Sequence, residues 1–104
     1  MKARLLTTSL ADEQFLSVVA WWRENRPAAP YLFEEEVGEA FELLEHEPEV
    51  GRCSPLPDLP NARRLILRKT AYHMYYEYNP ALGEVWVHAI WSAIRGRGPD
   101  LKRR

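Results

Sequence analysis

The chain has 104 residues, 46% hydrophobic and 28% charged, which suits one globular domain spanning residues 1–104 with a modest core. Its single cysteine, Cys53, excludes an internal disulfide and leaves no metal-ligand cluster, so neither a metal nor a cofactor is expected. No apolar run approaches membrane-spanning length and no early segment reads as a leader, so a cytoplasmic protein without membrane attachment is the default.

The formal net charge of −1 hides a split. Residues 1–50 carry four cations against eleven carboxylates, a balance of −7. Residues 51–104 carry ten cations against four carboxylates, a balance of +6. Such asymmetry points the second half toward an acidic partner, nucleic acid or protein. The plainer alternative is that the two halves neutralise each other across the fold.

In chain order, Ala3 to Thr8 is β-capable and suits an edge strand. Ser9, with Asp12 three residues later, reads as the N-cap of a helix running to about Asn25. Phe15, Val18, Val19 and Trp22 form its apolar stripe, with Trp21 off it. Pro27 and Pro30 break the pattern. A second helix fits Pro30 to about His46, with Leu32, Phe33, Val37, Ala40, Phe41 and Leu44 on one side. Glu34, Glu35, Glu36, Glu39, Glu42 and Glu45 read as its solvated face rather than as an acid–base or metal site.

Residues 48–61 hold four prolines and read as a long loop, whose length suggests a mobile or binding role. Arg63 to Trp91 then alternates aliphatic, cationic and aromatic residues and reads as a three-stranded meander. Period-two alternation puts Arg64, Ile66 and Arg68 on one side and Leu65 and Leu67 on the other. Trp86 and Trp91 are five apart, so strand alternation points them to opposite faces. The glycines after Arg95 form no phosphate loop, because no helix or Lys-Ser/Thr pair follows. The expected fold is α+β: an N-terminal strand and an antiparallel two-helix hairpin packed on a mainly antiparallel sheet completed by the meander. The sheet's outer side becomes a cationic, aromatic surface.

Several stretches together resemble toxins of the RelE/ParE superfamily, the toxic half of bacterial type II toxin–antitoxin pairs. They are Trp21-Trp22-Arg23-Glu24-Asn25-Arg26-Pro27, Glu47-Pro48-Glu49-Val50-Gly51, Arg63-Arg64-Leu65-Ile66-Leu67 and Tyr72-His73-Met74-Tyr75-Tyr76, with Ile90-Trp91-Ser92-Ala93-Ile94-Arg95-Gly96-Arg97-Gly98-Pro99-Asp100-Leu101 at the end. No single piece is specific; their order and spacing are. The resemblance implies a cognate antitoxin partner, a toxin–antitoxin hetero-oligomer, and one of two activities on a shared fold. ParE-type members poison DNA gyrase; RelE-type members cut mRNA in the ribosomal A site. An inactive relative that only binds antitoxin is the third possibility.

Carried over by position, Arg64 matches a first-strand cation of the nucleases and His73 an arginine that holds phosphate. Arg95 matches a cation after the last strand. Ile66 stands where a second cation belongs, no tyrosine follows Arg95, and Ser92 replaces a common histidine. Were the chain a nuclease, His73, Arg64 and Arg95 would be its catalytic set, with His88 an alternative acid or base. The double tryptophan motif and the Arg-Gly-Arg-Gly-Pro tail are more similar to the ParE side. Gyrase poisoning is therefore placed ahead of mRNA cleavage. Arg64, Arg68, His73, Tyr75, Trp91, Arg95 and Arg97 are the expected target-binding residues.

Overall fold

A computed structural model describes residues 2–93. The elements run β1 (Arg4–Thr7), α1 (Ser9–Asn25), α2 (Leu32–His46), β2 (Arg52–Cys53), β3 (Arg63–Leu67), β4 (Tyr72–Asn79) and β5 (Glu84–Ser92). They build one five-stranded sheet in the order β1-β5-β4-β3-β2. Only the β1–β5 pair is parallel; the other three pairings are antiparallel. The N-terminal strand thus pairs with the last one, and the expected α+β arrangement with its C-terminal meander is what forms.

The α1 cap lies one residue earlier than Ser9. Thr8 has an extended backbone, and its Oγ1 accepts the Ala11 N–H at 3.1 Å. Its own N–H donates to Val87 O at 3.1 Å, so sheet pairing holds Thr8 extended and the helix begins just after it. The core lies between the helices and one face of the sheet. Phe33, Val37 and Leu44 from α2 and Trp22 from α1 meet Leu67, Met74, Tyr76, Val85, Val87 and Ile90. Edge-to-face contacts tighten it, with Phe33 and Tyr72 ring centroids 5.1 Å apart.

The proline-rich loop is fastened to the sheet at several points by hydrogen bonds. Gly51 N–H donates to the buried Tyr76 hydroxyl at 2.8 Å. Arg63 Nη1 donates to the carbonyls of Glu49 at 3.0 Å and Gly51 at 2.8 Å. Residues 52–53 pair with β3, and Leu56 and Leu59 exchange both backbone hydrogen bonds. Sequence periodicity misses β2 because two residues show no alternation.

Glu36 also departs from expectation. It is 8% exposed, not part of a solvated face. Its Oε2 accepts the Lys69 N–H at 2.8 Å; its Oε1 accepts the Thr70 N–H at 3.0 Å and hydroxyl at 2.7 Å. The β3–β4 turn, which includes Ala71 at φ +64°, is thereby fastened to α2.

Candidate functional site: the outer face of the sheet

Register defines the rows of the face turned away from the helices. Arg52, Arg64, Tyr75 and Ala89 form one row across β2, β3, β4 and β5. Ile66, His73 and Trp91 form the next. Glu77, Trp86 and Leu6 form a third. A bulge at Tyr75/Tyr76 leaves His88 as an extra residue in β5 between Val87 and Ala89. That insertion reverses the parity of β5, so Trp86 and Trp91 lie in rows of the same face rather than on opposite ones. Trp86 is 36% exposed, and its Nε1–H donates to Glu84 Oε1 at 3.1 Å.

Strand parity also fails for Arg68. The strand ends at Leu67 and Arg68 lies exposed in the turn that follows, so it does not share the Arg64 face by alternation. Arg95 and Arg97 lie outside the described residues. The sequence-predicted residues brought together on the face are therefore Arg64, His73, Tyr75 and Trp91. Tyr75, however, is only 4% exposed, so the expectation that it contacts a target is corrected: its ring is packed within the face rather than open to a partner.

Arg52 joins them, and sequence reasoning missed it. It stands directly opposite Arg64 in the β2–β3 register. Ser54 N–H donates to Ala62 O at 2.9 Å. By the alternation of an antiparallel ladder, Arg52 and Arg64 are then the next hydrogen-bonded pair, with Cα atoms about 5.5 Å apart. Toward β4 the same residue falls in a non-hydrogen-bonded pair with Tyr75, where side chains stand closest.

The electrostatics of the face follow from which cations are already engaged. Lys69 pairs with Glu39 at 3.5 Å and Arg4 with Glu84 at 3.7 Å. Arg63 is committed to backbone carbonyls. Among the described residues, Arg52, Arg64 and Arg68 make no ion pair with a carboxylate. Neutralisation between the two halves of the chain thus takes up Lys69 and leaves these three arginines. Arg64 Nε is shielded from solvent and meets no hydrogen-bond acceptor among the described residues.

His73 lies edge-on to Tyr75, ring centroids 6.2 Å apart at 76°. Burial, and secondarily the Arg64 guanidinium, lower its pKa below the usual 6.5. A neutral imidazole beside a guanidinium is the state that accepts a proton, not one that adds charge. His88 Nε2 lies 3.2 Å from Glu77 Oε1, both side chains partly buried, one row away. No group of three or more His, Cys, Asp or Glu among the described residues is placed to hold a metal, and no described helix is long and apolar enough to cross a membrane.

No family model matches the chain, and no curated protein does. Solved structures do. The chromosomal ParDE toxin–antitoxin system of Pseudomonas aeruginosa superposes with a TM-score of 0.70 at 16% identity, over 88% of this chain and 96% of that one. The RelBE2 toxin–antitoxin complex of Mycobacterium tuberculosis gives 0.63 at 19%, over 88% and 99%. A mutant of the Escherichia coli toxin RelE in the free state gives 0.57 at 16%, over 92% and 88%. At these identities the likeness establishes architecture: the chain has the fold of RelE/ParE toxins.

Proposed function

We propose that this chain is the toxin of a bacterial type II toxin–antitoxin system, that it inhibits growth by poisoning DNA gyrase, and that a cognate antitoxin neutralises it. The superposition on ParDE and RelBE structures supports the toxin class. The Ile66–His73–Trp91 row carries the choice of activity. Cutting a phosphodiester needs a base, an acid and charge to stabilise a pentavalent phosphate. In this row His73 is flanked by a 41% exposed isoleucine and an indole. Such a surface suits gripping better than cleaving.

One observation favours the second reading, a ribosome-dependent mRNA endoribonuclease. His73 is held neutral next to Arg64, which is how a general base beside a phosphate-holding cation is arranged.

The antitoxin reading is supported by the free edge of β3. That strand runs past the two-residue β2, so Ile66 turns its N–H and C=O outward by ladder alternation. Beside it lies a groove of about 160 Å³, lined by Leu43, Leu65, Ile66 and Leu67 with Glu36, Glu39 and Ala40. An added antitoxin strand there would satisfy the edge and bury Leu43 and Ile66.

The experiment is purified protein added to a gyrase supercoiling assay and, in parallel, to a translating extract. Trapped gyrase–DNA cleavage complexes with translation intact are expected. A-site cuts in mRNA without any effect on gyrase would reverse the assignment.

A further inference from the structure

Past Arg64 the outer edge of β3 carries no strand, because β2 pairs only with Arg63 and Arg64. Ile66 turns its N–H and C=O to that edge, and its side chain is 41% exposed. An open apolar edge is where another chain adds a strand. On the α2 side the slot is bounded by the groove of about 160 Å³, where Ala40 and Leu43 meet Leu65 and Leu67.

Charge decides what can occupy the slot. Of the groove's own carboxylates, Glu36 takes three hydrogen bonds from the β3–β4 turn and Glu39 pairs with Lys69 at 3.5 Å. The cations at the two ends are not so engaged. Arg52 closes one end, opposite Arg64, and Arg68 is the first residue past the other. Both are exposed, and among the described residues neither pairs with a carboxylate. A second copy of the chain fits poorly. Paired antiparallel about Ile66, it would set the Arg68 of each copy against the Arg64 of the other, and like charges directly opposite repel. A basic segment meets the same repulsion at both ends.

Register sets the pattern of the segment that does fit. Its residue opposite Ile66 exchanges two hydrogen bonds with it and lies beside the Ile66 side chain. The residues before and after turn the other way, onto Ala40 and Leu43. Side chains one step further out come to the ends of the slot, at Arg52 and Arg68.

We propose that the β3 edge takes an extended antitoxin segment in which three apolar residues are flanked on both sides by carboxylates, with Arg52 and Arg68 holding the flanks. This rests on the antitoxin reading above and adds to it the chemistry of the neutralising segment and the residues that select it.

The test uses two synthetic peptides with the triplet valine-isoleucine-valine, one flanked by glutamates and the other by lysines. Binding to the whole chain is followed by backbone amide NMR shifts, and thermal melts accompany each variant. The glutamate peptide should bind about tenfold tighter than the lysine peptide and should shift the Ile66 amide. Arg68→Glu should remove that preference, and Arg52→Glu combined with Arg68→Glu should reverse it. Ile66→Pro deletes an outward N–H that the sheet itself does not use, and should bind neither peptide. Where Ile66→Pro does not melt cooperatively, the two charge variants carry the test. Equal affinity for both peptides, or binding of neither by wild type, overturns the proposal. So does dimerisation of the chain alone that shifts the Ile66 amide with rising concentration. An antitoxin from the neighbouring gene that binds the double charge variant as tightly as wild type overturns this proposal alone. A chain that no neighbouring-gene product binds overturns the antitoxin reading itself.

Discussion

The Glu36 carboxylate accepts both the backbone N–H and the hydroxyl of Thr70, 34 positions away, and so joins the second helix to the β3–β4 turn. With the Lys69 N–H it takes three hydrogen bonds, which makes it the acceptor for a turn that has few others. The turn presents Arg68 and sets the register in which Ile66 meets His73.

Glu36→Ala should therefore destabilise the fold by about 2–4 kcal/mol, since two backbone donors and a hydroxyl lose their acceptor in a protected place. Glu36→Gln should cost less, because one amide oxygen still accepts. Urea denaturation of the three proteins checks the order; equal stability of the alanine variant would refute the latch.

His73 titrates below 6.5, with burial the larger cause and Arg64 the smaller. Arg64→Ala should therefore raise its pKa only part of the way, as read from imidazole NMR shifts. A complete return to 6.5 would show that charge, not burial, dominates. The sign for stability follows by linkage. Below 6.5 the unfolded chain binds the proton more readily than the folded one, so stability decreases as the pH is lowered. The contribution of His73 is intact above 6.5 and is lost as pH falls through the folded pKa. His73→Gln should flatten that part of the pH–stability curve.

The hydroxyl of Tyr76 accepts the Gly51 N–H, and a Cβ on residue 51 would come within 2.6 Å of that oxygen. Tyr76→Phe should cost about 1–3 kcal/mol by orphaning a buried donor. Gly51→Ala must push aside a fully buried ring and should destabilise as well. In the Tyr76→Phe variant, hydrogen exchange at Gly51 should speed up before exchange in β5 does. Uniform loss across the sheet would count against a local role.

Arg64→Ala should keep the fold, since its guanidinium supports no described ion pair, and should relieve growth arrest on induced expression. Ala-variant toxicity equal to wild type, at equal protein levels, would remove the outer face from the action of the protein.

Much was legible in the sequence because the signals are local. The apolar stripe of α2 predicts Phe33, Val37, Ala40 and Leu44 as core, and all four are buried. Alternation correctly separates Leu65 and Leu67, which pack in or against the core, from Arg64 and Ile66, because β3 pairs with β4 without an extra residue. The same rule fails for Trp86 and Trp91, where the His88 bulge adds one residue that no propensity marks. It fails for Arg68, because the tight turn begins one residue sooner than the alternating pattern ends. Glu36 was indistinguishable from its five glutamate neighbours on α2 until the turn was folded against it.

Periodicity along the chain, which each segment carries by itself, settled the helices, the meander and the excess of positive charge in the second half. What depended on tertiary structure was partnership. That Arg52 comes to face Arg64, that Gly51 rests on Tyr76, and that both tryptophans of β5 share a side are consequences of distant segments meeting. Hydrogen bonds and strand register between residues far apart in sequence impose those meetings, and no local pattern encodes them.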